Sequence, residues 1–187
     1  PDLNKYSSKY ANRIKGAARD MEELIDAFLI LARETDNEFE DEYIFVRNVV
    51  DREINLASIY LEDKDIDIKV VEEYPLELMS AKKVLSIVLG NLIRNAILYT
   101  NEGRVTITIR NNSVLIVDTG IGMDSEQLKR IFRPYYRAEN ENKTKRKGYG
   151  VGLTIVKRLS SRFNWKVAVQ SEVNVGTRVE LIFSDNA

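Results

Sequence analysis

The sequence predicts an α+β chain: a two-layer α/β sandwich, with a mixed, mostly antiparallel sheet covered by helices, and a long helix at the N-terminus. Three observations predict it. Apolar residues recur at helical spacing over 9–33, 81–99 and 151–163. Short β-rich runs fall between them, at 66–71, 105–109, 114–117, 167–170 and 179–183. The last four runs form two pairs, each joined by turn-forming residues: Asn111-Asn112, and Asn174-Val175-Gly176-Thr177.

The elements follow in order. Residues 9–33 form an amphipathic helix whose stripe is Ile14, Ala18, Met21, Ile25, Phe28 and Ala32, widened by Leu24 and Leu31. Its one-sided heptad rhythm calls for another helix to cover it, either within its own domain or, the favoured reading, in an intermolecular or inter-segment bundle. Thr35-Asp36-Asn37-Glu38 is polar and acidic and reads as a linker, which divides the chain into 1–36 and 37–187. A short strand at 43–46 is followed by a helix at 49–61, with Val49, Val50, Ile54, Ala57 and Leu61 on one face, and by an alternating strand at 66–71. The helix at 81–99 turns Val84, Leu85, Val88, Leu92 and Ala96 to one side. A short helix at 125–132 can be capped by Asp124 or Ser125 with Glu126 or Gln127 following. Residues 138–147 are polar and charged and read as a loop. The last helix, 151–163, faces Ile155, Val156, Leu159 and Phe163 inward.

Composition excludes several function classes. The chain has 187 residues, 44% hydrophobic and 30% charged, with a formal net charge of -1. No global field favours nucleic acid. There is no cysteine and no histidine, so disulfides, thiolate zinc sites and imidazole catalysis are out. A metal must rest on oxygen ligands, which points to Mg²⁺ or Ca²⁺. No apolar run reaches the roughly 18 residues of a membrane span, and there is no signal peptide. The chain starts at Pro1 without a Met and reads as part of something longer, cytoplasmic itself, with a parent open to a membrane anchor.

Three boxes carry the chemistry. Asn91-Leu92-Ile93-Arg94-Asn95-Ala96 places two carboxamides on one helix face, where amide oxygens suit Mg²⁺. Asp118-Thr119-Gly120-Ile121-Gly122-Met123 ends an apolar strand; a carboxylate at the strand mouth accepts from an exocyclic amine, and glycines allow close approach to a flat base. Gly148-Tyr149-Gly150-Val151-Gly152-Leu153 precedes a helix whose N-terminal amides suit phosphate. A charged loop precedes this third box where a dinucleotide fold needs a strand, so that fold is excluded. Each pattern alone is common; in this order they spell ATP binding. Lys143, Lys145, Arg146 and Lys147 are either solvated surface or a lid over the triphosphate. Arg133 and Arg137 precede that loop, and Arg137 is the better phosphate contact. Tyr99 either stacks on the base or belongs to the core.

These residues resemble the catalytic, ATP-binding domain of sensor histidine kinases, in the gyrase, heat-shock chaperone, histidine kinase and MutL superfamily, over about residues 39 to 184. Asn91 to Thr100 resembles the N box, Asp118 to Met123 the first glycine box and Ile131 to Arg137 the F box. Gly148 to Leu153 resembles the second glycine box, and Asn174 to Thr177 a last, smaller one. The resemblance implies an ATP site of Asn91, Arg94, Asn95, Tyr99, Asp118, Gly120, Gly122, Met123, Phe132, Arg137, Gly148, Tyr149, Gly150, Val151, Gly152, Leu153 and Thr177. Asn95 would be the main Mg²⁺ ligand, with Asn91 beside it as the other catalytic residue. Asp118 would bond the adenine amine, Tyr99 would pack at the base, Arg137 would reach the phosphates, and Thr177 would meet the adenine through water. Residues 11–34 resemble the second helix of a dimerisation and phosphoacceptor hairpin whose reactive histidine lies upstream. Implied partners are ATP or ADP, that phosphoacceptor helix, a response regulator and a second copy in the full-length protein.

Three positions depart from the family, the mildest being Val151, where the second glycine box often has Leu. Leu98 stands where the N box usually has a Lys that helps hold phosphate, leaving Arg94 or the loop lysines to compensate. Asn174 replaces a Gly, and Asn tolerates positive φ. The resemblance implies transfer of the ATP γ-phosphoryl to a histidine outside this chain. Two alternatives share the pocket: a degenerate module that senses nucleotide or docks a partner, favoured by Leu98 and the absent His, and an anti-sigma-type Ser kinase, disfavoured by the heptad helix.

Overall fold

The computed structural model describes residues 41–61, 64–136 and 150–184, together with residues 11, 14, 16–18, 21–22, 25–30 and 32. The chain divides into two units, Pro1–Glu38 and Phe39–Ala187.

In the first unit every described residue between 11 and 32 is helical. The buried positions are Gly16, Ala27 and Ile30, whereas Ile14, Met21, Ile25 and Phe28 stand 53–73% exposed. The expected apolar stripe is therefore in water, as a one-sided stripe remains until another helix lies on it. Leu24 and Leu31 lie outside the described residues.

The second unit begins with strand β1 (Glu42–Phe45), which pairs antiparallel with β3 (Glu77–Ser80). Helix α1 (Val46–Ala57) follows β1 directly and ends in a 3-10 turn at Ser58–Tyr60. It starts earlier than its sequence pattern suggests, because Val46 is already its first buried residue. β3 was not anticipated: four residues after Pro75 are too few for alternation to stand out. The main sheet has the order β2-β4-β5-β7-β6. Its strands are β2 (Asp65–Glu72), β4 (Glu102–Ile109), β5 (Ser113–Asp118), β6 (Lys166–Glu172) and β7 (Gly176–Ile182). Among the described residues only β2 and β4 run parallel; the other neighbours are antiparallel, as the two hairpins require.

Helix α2 (Lys82–Tyr99) contacts α1, strand β5 and helix α4 (Gly152–Arg162). With neighbours on several sides it is buried nearly all round, so Leu89, Ile93 and Ile97 join the expected Val84, Leu85, Val88, Leu92 and Ala96 in the core. Below them lie Val105, Ile107 and Ile109 of β4 and Val114 and Ile116 of β5. Each such side chain contributes roughly 1.5–3 kcal/mol through removal from water.

The C-terminus of α2 is closed by a residue distant in sequence. Lys64 Nζ donates to the carbonyls of Ile97, of Leu98 at 3.0 Å and of Thr100 at 2.8 Å. These oxygens have no partner inside the helix, and a cation there also opposes the helix dipole. Thr100 Oγ1 donates back to Ala96 O at 2.8 Å. No described helix is long and apolar enough to cross a membrane.

Candidate functional site

A cavity of about 430 Å³ opens where α2, the ends of β5 and β7, and the segment after β5 converge. Its floor is built by strand periodicity. Ile116 and Asp118 alternate along β5, Val179 and Thr177 along β7, and all four line the cavity. The register sets them in rows: Asp118 opposite Thr177, Ile116 opposite Val179, and Val169 of β6 opposite Val179. Opposed residues of an antiparallel pair rise from the same face. From α2 come Leu92, Asn95, Ala96 and Tyr99, spaced as one helix face.

Asp118 is the buried charge of this wall, only 7% exposed. Burial pushes its carboxyl up to about 6, although the Gly120 and Thr177 amides that donate to it pull the other way. The Gly120 contact is 2.9 Å. The turn that follows is pinned on both sides. Ile121 N donates to Tyr99 O at 3.1 Å, and Asn174 N to Ile121 O at 2.8 Å. Gly122 sits at φ 63, where a Cβ would run into the Glu172 carbonyl, so only glycine suits the position. Asn174 takes φ 61, and the turn between β6 and β7 holds without the expected glycine.

The asparagine pair separates into two roles. Asn95 lines the cavity. Asn91 is 2% exposed and is not among the lining residues. Its Nδ2 donates to Ile87 O at 2.8 Å, its Oδ1 accepts from Arg94 Nη2 at 2.7 Å, and it packs against Gly152. The Asn91 carboxamide, being buried, takes the nearest backbone partner, one turn back. A Cβ on Gly152 would come within 2.6 Å of Asn91 Oδ1, which explains that glycine by packing.

Helix α4 starts at Gly152 with Val151 as an N-cap that supplies no side-chain bond, and Leu153 lines the cavity. The start of α4 thus stands beside the cavity. Phe132 is half-buried: its carbonyl accepts from Thr154 Oγ1 at 3.1 Å, and Lys157 Nζ lies 5.3 Å from its ring centre. The expected helix at 125–132 is regular only as α3 (Ser125–Leu128), capped by Asp124 with Gln127. Turns follow to Tyr135, whose amide donates to Gly150 O at 2.9 Å, so Gly150 meets the chain behind the lining residue Tyr136. Arg137, Gly148, Tyr149 and the loop cations Lys143, Lys145, Arg146 and Lys147 lie outside the described residues.

Seven sequence-derived residues therefore meet around one cavity: Asn95, Tyr99, Asp118, Gly122, Met123, Leu153 and Thr177. Gly120 contributes through its amide, and Arg94 through Asn91. Sequence reasoning missed the strand residues Ile116, Val169 and Val179. The alternation of β5, β6 and β7 could have found them once the register was known.

Residues 81–187 match the family described as histidine kinase-, DNA gyrase B-, and HSP90-like ATPase, and the chain belongs to that family. Among the proteins it is similar to are sensor histidine kinases. It is 30% identical over 145 residues to the autoinducer 2 sensor kinase/phosphatase LuxQ of Vibrio vulnificus (strain YJ016), covering 70% of this chain and 17% of that protein. It is 39% identical over 97 residues to the histidine protein kinase SaeS of Staphylococcus aureus (strain USA300), covering 48% of this chain and 28% of that protein. The chain thus spans less than a third of these relatives. Two solved structures share its fold. Acinetobacter baumannii histidine kinase AdeS has a TM-score of 0.70 at 18% identity, covering 100% of this chain and 87% of that one. Full-length ShkA in complex with AMPPNP has a TM-score of 0.70 at 24% identity, covering 97% of this chain and 39% of that one.

Proposed function

We propose that this chain is the catalytic, ATP-binding part of a sensor histidine kinase, which binds Mg-ATP and presents the γ-phosphoryl to a histidine outside the chain. The observation that carries the reading is Asp118, a buried carboxylate at the head of a largely apolar cavity. Such a group accepts from the exocyclic amine of adenine, while Ile116, Val169 and Val179 keep water from the base. At the other end, the first amides of α4 receive phosphate oxygens. Asn95 is the protein ligand for Mg²⁺. The described residues hold no cluster of three acidic, His or Cys side chains that could bind a metal, and one amide oxygen plus phosphates suits Mg²⁺, which keeps several waters. When bound, Mg²⁺ neutralises charge on the transferring phosphate. Asn91 acts indirectly, by holding Arg94.

In this reading the chain works in the cytoplasm, and the exposed Ile14, Met21, Ile25 and Phe28 belong to the bundle of a homodimer that carries the phosphoacceptor helix. The phosphoryl group then passes to an Asp of a response regulator. One observation favours a degenerate, nucleotide-sensing module instead: Leu98 leaves the N box without its usual Lys, and Arg94 is engaged with Asn91.

The test is calorimetric titration of ADP and a non-hydrolysable ATP analogue, with and without Mg²⁺, into this chain and into Asp118→Asn. Mg²⁺-dependent binding that Asp118→Asn abolishes is the expected result. An unmutated chain that binds neither nucleotide overturns the kinase reading.

A further inference from the structure

We infer that Ser171 sets the purine specificity of the cavity by fixing the direction in which the Thr177 hydroxyl points its proton. The inference rests on the ATP-binding reading above. Ser171 does not line the cavity itself; it is a positioning residue.

Ser171, Thr177 and Asp118 form one row across β6, β7 and β5, each opposite the next. Ser171 Oγ has three partners. Met123 N donates to it at 2.9 Å, Gly176 O lies 2.9 Å away, and Thr177 Oγ1 lies 2.9 Å away. A serine hydroxyl has one proton and two lone pairs. The Met123 amide can only donate, and the Gly176 carbonyl can only accept. All three contacts are hydrogen bonds under one arrangement alone: Ser171 gives its proton to Gly176 O, and Thr177 gives its proton to Ser171 Oγ.

Thr177 lines the cavity, and with its proton committed its hydroxyl oxygen is a pure acceptor there. Asp118, its cross-strand neighbour, is an acceptor too. Adenine carries an amino donor where guanine carries a carbonyl oxygen. Two adjacent acceptors receive the amine, directly or through a water, and set guanine's oxygen against lone pairs. Without the Ser171 hydroxyl, Thr177 is free to rotate and donate, and half of that discrimination is lost.

The experiment is competition binding of ATP and GTP to this chain and to Ser171→Ala, Ser171→Thr, Thr177→Val and the Ser171→Ala/Thr177→Val double variant. The unmutated chain is expected to prefer ATP. Ser171→Ala lowers that preference about tenfold, the effect of one hydrogen bond, mainly by admitting GTP. Ser171→Thr keeps the hydroxyl and the preference. Thr177→Val lowers the preference as Ser171→Ala does, and the double variant lowers it no further. An unchanged ratio in Ser171→Ala or Thr177→Val, or an equal loss of both nucleotides in Ser171→Ala, overturns the inference while leaving ATP binding intact as a reading. An unmutated chain that binds neither nucleotide overturns both.

Discussion

The Asp118 carboxylate accepts the Gly120 amide at 2.9 Å, so a buried charge is held by the turn that it begins. The bond offsets only part of the cost of burial, and the carboxyl still titrates at about 6 against an ordinary 3.8. Between those values the folded chain holds the proton more firmly than the unfolded one. This group's stabilising contribution is thus full below 3.8 and is lost as pH rises to about 6. Asp118→Asn removes that loss. It is expected to melt higher than the unmutated chain at pH 7.5, by about 2–3 kcal/mol, with the gap closing toward pH 4. Thermal melts across that range check it, and equal stability at pH 7.5 would sink the idea.

Nucleotide affinity should carry the same titration with the opposite benefit. The ionised carboxylate is the acceptor for the amine, so ATP binding is expected to be constant above about pH 7 and to weaken on acidification through about 6. The limiting slope is about tenfold per pH unit. Calorimetry from pH 5 to 8 reads it directly; a flat profile removes Asp118 from the contact.

The two asparagines should respond differently to removal. Asn91→Ala strips partners from the Ile87 carbonyl and from Arg94, and is expected to destabilise by about 1–3 kcal/mol. Asn95→Ala should leave the melting temperature nearly unchanged and abolish the Mg²⁺ dependence of nucleotide binding. Matching melts for the two variants would contradict this division.

Gly122→Ala is expected to cost about 1–3 kcal/mol and to weaken nucleotide binding. Its Cβ has nowhere to go but the Glu172 carbonyl, and displacing it moves Met123 away from Ser171. Gly150→Ala is the comparison. Its φ is also positive, at 69, but its nearest backbone neighbours stand 3.0 Å off, so its loss of stability should be smaller. Chemical denaturation of both variants ranks them.

Much of the site was legible in the sequence because it is local. The Asp118 to Met123 turn, the start of α4 at Gly152 and the cap pair Asp124 and Gln127 are set by residues within a few positions of one another. What depended on register was not legible. Val169 and Val179 become floor only when β6, β7 and β5 are laid side by side, and Ser171 meets Met123 across 48 positions. Helical spacing could not separate Asn91 from Asn95, since both fall on one face; the carbonyl one turn back decides it. The stripe at Ile14, Met21, Ile25 and Phe28 is legible as apolar from its spacing alone, and these side chains stand exposed in the structure.

Lys64 bears on where this domain can be cut. It stands ahead of residues 81–187, the span that matches the family, yet it closes the end of the helix that carries Asn95 and Tyr99. A recombinant piece trimmed to that span discards this lysine along with β1, α1, β2 and β3. It leaves three carbonyls at the end of α2 facing water and bares the Val105 to Ile109 strand along the edge where β2 had paired. The smallest autonomous unit therefore begins before β1, near residue 39, and expression boundaries drawn from the shared motifs alone are predicted to yield an aggregating product.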